Sequence, residues 1–256
     1  MSEDLPLLPE DMPWEAVQAE LEALDLGDGL PLVPPTLARY EAMLAGRGLP
    51  AQSFGHLMPL MGELTLEAVA YNCILAGCRP EELPVVLSAA EACTEDAFNL
   101  LGVLSTTGTP TVAVCVHGPA VETLGINAGS NVLGPGNRAN ACIGRAVSLI
   151  MRNVAGAKPG IADMATMGQP GKYTFCFAER AHPRFPGLPE RRGFDGSESC
   201  VTVFGVSGTD EVLPRSGGDS PESVLQPIAA AMNSAIDVSS LTRKPDRNEQ
   251  VFLMPP

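Results

Sequence analysis

Basic residues are scarce in this chain of 256 residues. Lys and Arg number 16 against 30 Asp and Glu, which leaves a net charge of −14. Phosphate contacts need a basic face, so nucleic-acid binding is excluded as a leading function. No stretch reaches about 18 consecutive apolar residues, so no membrane span is expected. The first basic residue is Arg39, and nine acids precede it. A secretory leader begins basic and continues apolar, whereas MSEDLPLLPEDMPW is acidic and proline-rich. No signal peptide and a cytoplasmic location are therefore expected. The three histidines, His56, His117 and His182, show no HxH or HExxH spacing, and the cysteines show no CxxC. That pattern predicts no metal site. The seven cysteines are odd in number and scattered in apolar context, which favours reduced thiols over a disulfide framework. There is no Gly-Lys-Ser/Thr and no Gly-x-Gly-x-x-Gly, so neither a P-loop nor a dinucleotide fingerprint is present. No cofactor is assigned. Apolar residues make up 45% and charged residues 18%, which rules out disorder for most of the chain.

What is present is an alternation of helix and strand signals. Residues 1–12 read as an extended arm. Pro13 favours a helix start, and Trp14, Val17, Leu21 and Leu24 recur at helical spacing, predicting an amphipathic helix over 13–25. Its acidic face is either solvated or part of an arm that docks on a partner subunit. GDGLPLVPPT (27–36) carries three prolines and two glycines, so it is a loop of fixed shape. Thr36 is placed to cap a helix through Arg39, Tyr40 and Met43 that stops near Gly46 and Gly48. Thr65 is a second N-cap, for a buried stripe of Leu66, Val69, Ala70, Cys73 and Ile74 that ends at Gly77. Pro80 begins the next helix, which runs to about Cys93. Residues 98–104 suit a short strand or a helix end. TVAVCV (111–116), KYTFCFA (172–178) and CVTVFGV (200–206) read as strands. A glycine-rich loop (118–137) and a helix over 138–154 separate the first two. The apolar face of that helix is Ala139, Ile143, Val147, Ile150 and Val154. Residues 181–199 read as loop. Ser220-Pro221-Glu222 begins a helix through Ile236, and QVFLMPP (250–256) starts as a strand. The class is α/β or α+β: a mixed sheet with flanking helices and a helical N-terminal arm. Residues 1–50 form the arm and first helices, and 51–256 the α/β core domain.

The glycine-rich loop is the strongest local signal for chemistry. Its glycines let a backbone approach a ligand closely. It enters a helix at Asn137-Arg138, where free N–H groups and an arginine make an anion site. Asn127, Ser130, Asn131, Gly134, Gly136, Asn137, Arg138, Asn140 and Arg145 are therefore candidate binders of a carboxylate or phosphate. The same glycines also suit a loop that needs them for its own turns. Arg138, Arg145 and Arg152 are seven apart and share one stripe, on which Arg152 is expected to be solvated. Cys142 lies between two of these arginines, which favours its thiolate; the alternative is a small buried cysteine. Cys115 and His117 share a strand face, as nucleophile and base, as metal ligands or as core. His117 sits at the strand's C-terminal end, where open α/β sheets place their sites. Lys172 shares a predicted strand face with Thr174 and Cys176. Glu179 ends the opposite, aromatic row and is expected to pair with one of Arg180, Arg184, Arg191 and Arg192. Asp28, between two glycines, suits a ligand or a general acid/base.

Several segments together carry a resemblance: GDGLPLVPPT, LTLEAVAYNCILAGCRPEELPVVLSA, GINAGSNVLGPGNRANACIGRA, RNVAGAKPG and GQPGKYTFCFAE. They resemble a bacterial family with GDGLPxVPPT and GPGxRANxxIGRA blocks, associated with UGSC-motif cysteine or selenocysteine proteins. The resemblance covers most of residues 20–205 and implies no particular reaction. It points to Asp28, Asn72, Cys78, Gly134, Gly136, Arg138, Asn140, Arg145, Asn153, Lys172 and Glu179. Two departures stand out. His117 occupies a position where the family has a polar residue such as asparagine. The chain also stops at QVFLMPP where similar proteins continue, so a second protein chain is expected to complete the fold.

The expected function is that of a subunit of a small-molecule enzyme acting on an anionic substrate. Lys172, Glu179 and Asp28, then His117, are the acid/base candidates for lyase or hydro-lyase chemistry. Cys78 or Cys142 is the candidate thiol for thiol-assisted chemistry. The alternatives are a non-catalytic partner subunit of a hetero-oligomeric enzyme and a ligand-binding module without turnover.

Overall fold

The computed structural model describes residues 5–180, 182, 184–213, 220–240 and 250–254, with the backbone alone for 234–240. Two units are distinguished, Met1–Gly208 and Thr209–Pro256. In the first, α1 (Trp14–Ala23) starts directly after Pro13 and buries Val17 and Leu21. α2 (Leu37–Leu44) buries Met43. β1 (Ser53–Leu57) and β2 (Gly62–Thr65) form an antiparallel hairpin. The Thr65 hydroxyl accepts the Ala68 N–H at 3.2 Å and opens α3 (Leu66–Ala76), which is buried from Val69 onward. Pro80 begins a single 3-10 turn that leads into α4 (Leu83–Ala92). Then come α5 (Leu100–Ser105), β3 (Thr111–His117), α6 (Ala120–Thr123) and α7 (Arg138–Asn153). β4 (Cys176–Ala178), α8 (Leu188–Arg191) and β5 (Cys200–Val206) complete this unit. The second unit contains α9 (Pro221–Ser240), with Pro227 inside it.

The class is α/β with a mixed sheet. β3 is central, parallel to β4 and antiparallel to β5. All seven β3 residues are buried, because both faces are covered. Val112, Val114 and Val116 join the main core with Val201, Val203 and Cys176. α7 and α4 lie on this side, and α3 packs against α7. The opposite face holds Ala113, Cys115 and Phe177 under Phe175, Phe204 and Val132. The expected stripe of α7 is all buried. Valine-rich β3 and the period of α7 thus produce the central layer as the pattern predicts.

Three expectations are corrected. The strand expected over 172–178 is only Cys176–Ala178. Pro170 and Gly171 start a 3-10 turn through Lys172, and the Thr174 hydroxyl then donates to the Ala141 carbonyl at 2.8 Å. The chain here follows α7 before it joins the sheet. The arm over residues 5–12 is tied to the rest of this unit. The Tyr71 hydroxyl donates to the Pro6 carbonyl at 2.9 Å, the Leu8 N–H donates to the Pro35 carbonyl at 3.0 Å, and Leu8 is buried. Thr36 makes no side-chain cap on α2; Glu10 accepts the Ala38 N–H instead, at 3.1 Å. Residues 250–254 form no strand. Elsewhere, α5 resolves residues 98–104 as a helix end, and α8 lies within the loop expected over 181–199. Among the described residues, no helix is long and apolar enough to cross a membrane.

Candidate functional site

A cleft of about 670 Å³ opens at the N-terminal end of β3. That size suits a small molecule. Its walls come from Gly27–Gly29, from Ser148 and Arg152 on α7, from Thr111 and Val112, and from the turn carrying Gln169, Lys172 and Tyr173. Glycine at position 29, with φ of 90°, lets the loop turn back sharply beside Asp28. Arg145 then fixes that loop. Its guanidinium donates to both Asp28 carboxylate oxygens at 2.8 Å, to the Pro31 carbonyl at 3.0 Å and to the Leu30 carbonyl at 3.1 Å. Burial opposes ionisation of Asp28, but Arg145 and the Leu30 N–H outweigh it and hold its carboxyl below the usual range. Asp28 is therefore a fixed anion at neutral pH rather than a proton carrier. Beneath it, the Asn153 side chain donates to the Leu26 carbonyl at 3.0 Å and to Asn72 at 2.8 Å.

Lys172 meets Asp163 at 2.6 Å on the cleft wall. The turn from Pro170 sets its direction, and Gln169 is anchored by donating to the Thr109 and Val206 carbonyls. Arg152 is not solvated as its place on the stripe suggests. It lines the cleft and pairs with Asp25, which Lys158 also contacts at 2.7 Å. The cleft and its immediate supports thus carry four cations, Arg145, Arg152, Lys158 and Lys172, against three carboxylates, Asp25, Asp28 and Asp163. The Nε of Arg152 is buried with no partner among the described residues. Buried donors of this kind are normally satisfied, so a water or a ligand atom fits there.

A second polar group closes the opposite end of β3, roughly 20 Å away along the strand. His117 Nδ1 lies 2.8 Å from Glu179, and Nε2 lies 2.9 Å from the Thr202 hydroxyl. A carboxylate only accepts, so Nδ1 carries the proton and Nε2 accepts from Thr202. Burial lowers the affinity of His117 for a second proton, although Glu179 works the other way. Glu179 also accepts the Leu188 N–H. Glu179 therefore pairs with His117, not with the neighbouring arginines. His117 is only 2% exposed, so this group ties β3, β5 and the start of α8 together.

A third group surrounds Glu82, which is fully buried. Arg138 donates to both Glu82 oxygens and to the Gly77 carbonyl. Its charge is already matched there, away from the glycine-rich loop. Cys78 and Cys142 lie beside this pair. Burial and the neighbouring Cys78 raise the Cys142 thiol, and Arg138 does not overcome them, so the expected thiolate is not favoured. The asparagines of the glycine-rich loop serve the loop itself. Asn127 donates to the Ser130 carbonyl, Asn131 to the Pro135 carbonyl and Asn137 to the Gly125 carbonyl. Asn137 also caps α7, and Asn140 accepts the Asn127 N–H while donating to the Asn127 and Cys176 carbonyls. Ser130, Gly134 and Gly136 lie in the same loop and do not line the cleft.

The expected site residues thus fall in four places. Asp28 and Lys172 share the cleft, with Arg145 behind them. His117 and Glu179 meet at the far end of β3. Cys78, Cys142 and Arg138 gather at Glu82, and the asparagines stay in their loop. Asp163, Gln169, Thr202 and Glu82 were not legible as partners, because each contact joins segments that no local spacing relates. Among the described residues, no three His, Cys, Asp or Glu side chains form a group able to hold a metal ion. No family model matches the chain, and neither a curated protein nor a solved structure matches it.

Proposed function

We propose that this chain is a subunit of a small-molecule enzyme whose anionic substrate sits in the cleft at the N-terminal end of β3. The carrying observation is the convergence of Lys172, Asp163 and Arg152 on one cavity that, together with its supports, holds four cations against three carboxylates. Arg152 holds the carboxylate or phosphate, as a planar fork suits either. Lys172 moves the proton, and Asp163 positions the ammonium. That division fits lyase or hydro-lyase chemistry, which needs a proton carrier and an anion clamp. The thiol-assisted version has less support, since neither Cys78 nor Cys142 lines the cleft. The family resemblance remains part of the proposal. It is supported by the way its first and central blocks join through Asp28 and Arg145. A cytoplasmic location fits the seven free cysteines.

The test uses small hydroxy- and unsaturated carboxylates with the purified protein in D₂O. Calorimetry reads binding, and proton NMR reads exchange of C–H for deuterium beside the carboxylate. The expected result is saturable binding of at least one acid, weakened about tenfold or more by Arg152→Gln, with exchange abolished by Lys172→Met. Binding that neither variant changes would overturn the assignment of the cleft. Binding without exchange in the wild type would leave a ligand-binding module, and no binding at all would favour a non-catalytic partner subunit.

A further inference from the structure

The end of α3 brings two thiols together. Gly77, with φ of 84°, terminates the helix in the left-handed region. Its N–H donates to the Ile74 carbonyl, and the Cys78 N–H donates to the Cys73 carbonyl, both at 2.9 Å. This pair of bonds is the Schellman arrangement, in which the side chains two beyond the helix end and three inside it meet. Usually that contact is hydrophobic. Here the two residues are Cys73 and Cys78. Bond lengths and the hydrogen bond together cap their Cα separation at about 6.8 Å, within the range a disulfide spans. Cys73 is fully buried and Cys78 only partly, so Cys78 is the thiol nearer to solvent and Cys73 stands behind it. The segment between them is held in place: Arg138 donates to the Gly77 carbonyl, and the Arg79 N–H donates to Glu82 at 2.8 Å.

We propose that Cys73 and Cys78 form a reversible dithiol–disulfide couple, oxidised by a low-molecular-weight disulfide of the glutathione type. The Cys78 sulfur attacks RSSR, breaking its S–S bond, and leaves a mixed disulfide on Cys78 and one RSH. The Cys73 sulfur then attacks Cys78 Sγ, expels the second RSH and closes the internal bridge. Two protein thiols lose two electrons and two protons, and RSSR takes up both to become two RSH. The hydrogen bond with Cys73, burial and the Glu82 charge all raise the Cys78 thiol well above the ordinary range. The reduced state therefore gains no stabilised thiolate, which favours the disulfide at equilibrium and makes exchange slow. Cys142 is the competing partner, because its Sγ lies 3.6 Å from where a Cβ on Gly77 would sit.

The experiment incubates fully reduced, full-length protein with oxidised glutathione. Denaturing alkylation and intact mass then count the free thiols. The wild type and Cys142→Ala are each expected to lose two thiols with no added glutathione. Cys73→Ala should stop at a glutathione adduct on Cys78, and Cys78→Ser should lose no thiol at this site. Circular dichroism checks that Cys73→Ala folds; the partly buried Cys78→Ser carries the test if it does not. A wild type that keeps all seven thiols overturns the proposal. So does an internal bridge that survives in Cys73→Ala, since that bridge joins Cys78 to Cys142.

Discussion

Arg145 shows how much one side chain organises. It binds two carboxylate oxygens and two carbonyls of the Gly27–Pro31 loop, and it does so with little exposure. A lysine at this position reaches one of these acceptors but has no fork to span them. Arg145→Lys is therefore expected to cost about 2 kcal/mol of stability, from the loss of charge-assisted hydrogen bonds. Urea denaturation of both proteins measures this, and equal midpoints would show that the loop holds its shape without the fork. The sequence marks Asp28 and Arg145 separately, each by its motif. Their pairing spans 117 residues, and no local spacing reveals it. Glu179 makes the same point in reverse. Four nearby arginines look like its partners, yet strand β3 delivers His117 from 62 residues away.

At the scale of elements, periodicity is a good guide wherever one face is buried. It finds α3, α7, β3 and β5 close to their observed ends because their apolar residues all face a core. It fails over 172–178, where alternation continues through residues that follow α7 instead of pairing. The reason is visible at Gly144. A Cβ there would lie 2.5 Å from the Thr174 hydroxyl oxygen and 2.6 Å from the Phe175 nitrogen. α7 thus approaches the incoming chain at backbone distance, and the chain joins the sheet only at Phe175, whose carbonyl accepts the Val114 N–H at 2.9 Å. In an exposed helix, glycine to alanine gains about 1 kcal/mol. Gly144→Ala should instead lose about 1–3 kcal/mol, because one of the two backbones must move. A thermal melt distinguishes the two signs. A raised midpoint would mean that the approach of α7 to this segment is looser than the contact distances require.

For the whole molecule, the two ends of β3 carry different polar groups. The rule that sites gather at the C-terminal ends of strands belongs to open parallel sheets. Here β5 runs antiparallel beside β3, and the C-terminal end of β3 is plugged by His117, Glu179 and Thr202. The cleft opens at the other end. The plug makes global stability depend on pH. Burial holds the folded-state pKa of His117 below its ordinary 6.5, so the unfolded chain binds the extra proton more readily. Where the unfolded state binds more protons, stability rises with pH. The contribution of His117 is thus complete above about pH 7.5 and is lost as pH falls through 6.5 toward the folded pKa. Protonation would also turn Nε2 into a donor and force the Thr202 hydroxyl to rotate. Carboxylates titrate mostly lower, near pH 4, so the large negative charge changes little in this window. Urea unfolding between about pH 8 and pH 5.5 should therefore show stability declining on the acid side. His117→Asn should flatten that slope, at the cost of lower stability throughout from its imperfect match to Glu179 and Thr202. A slope that persists unchanged in the variant would assign the dependence to other groups and make the His117 plug a neutral packing element.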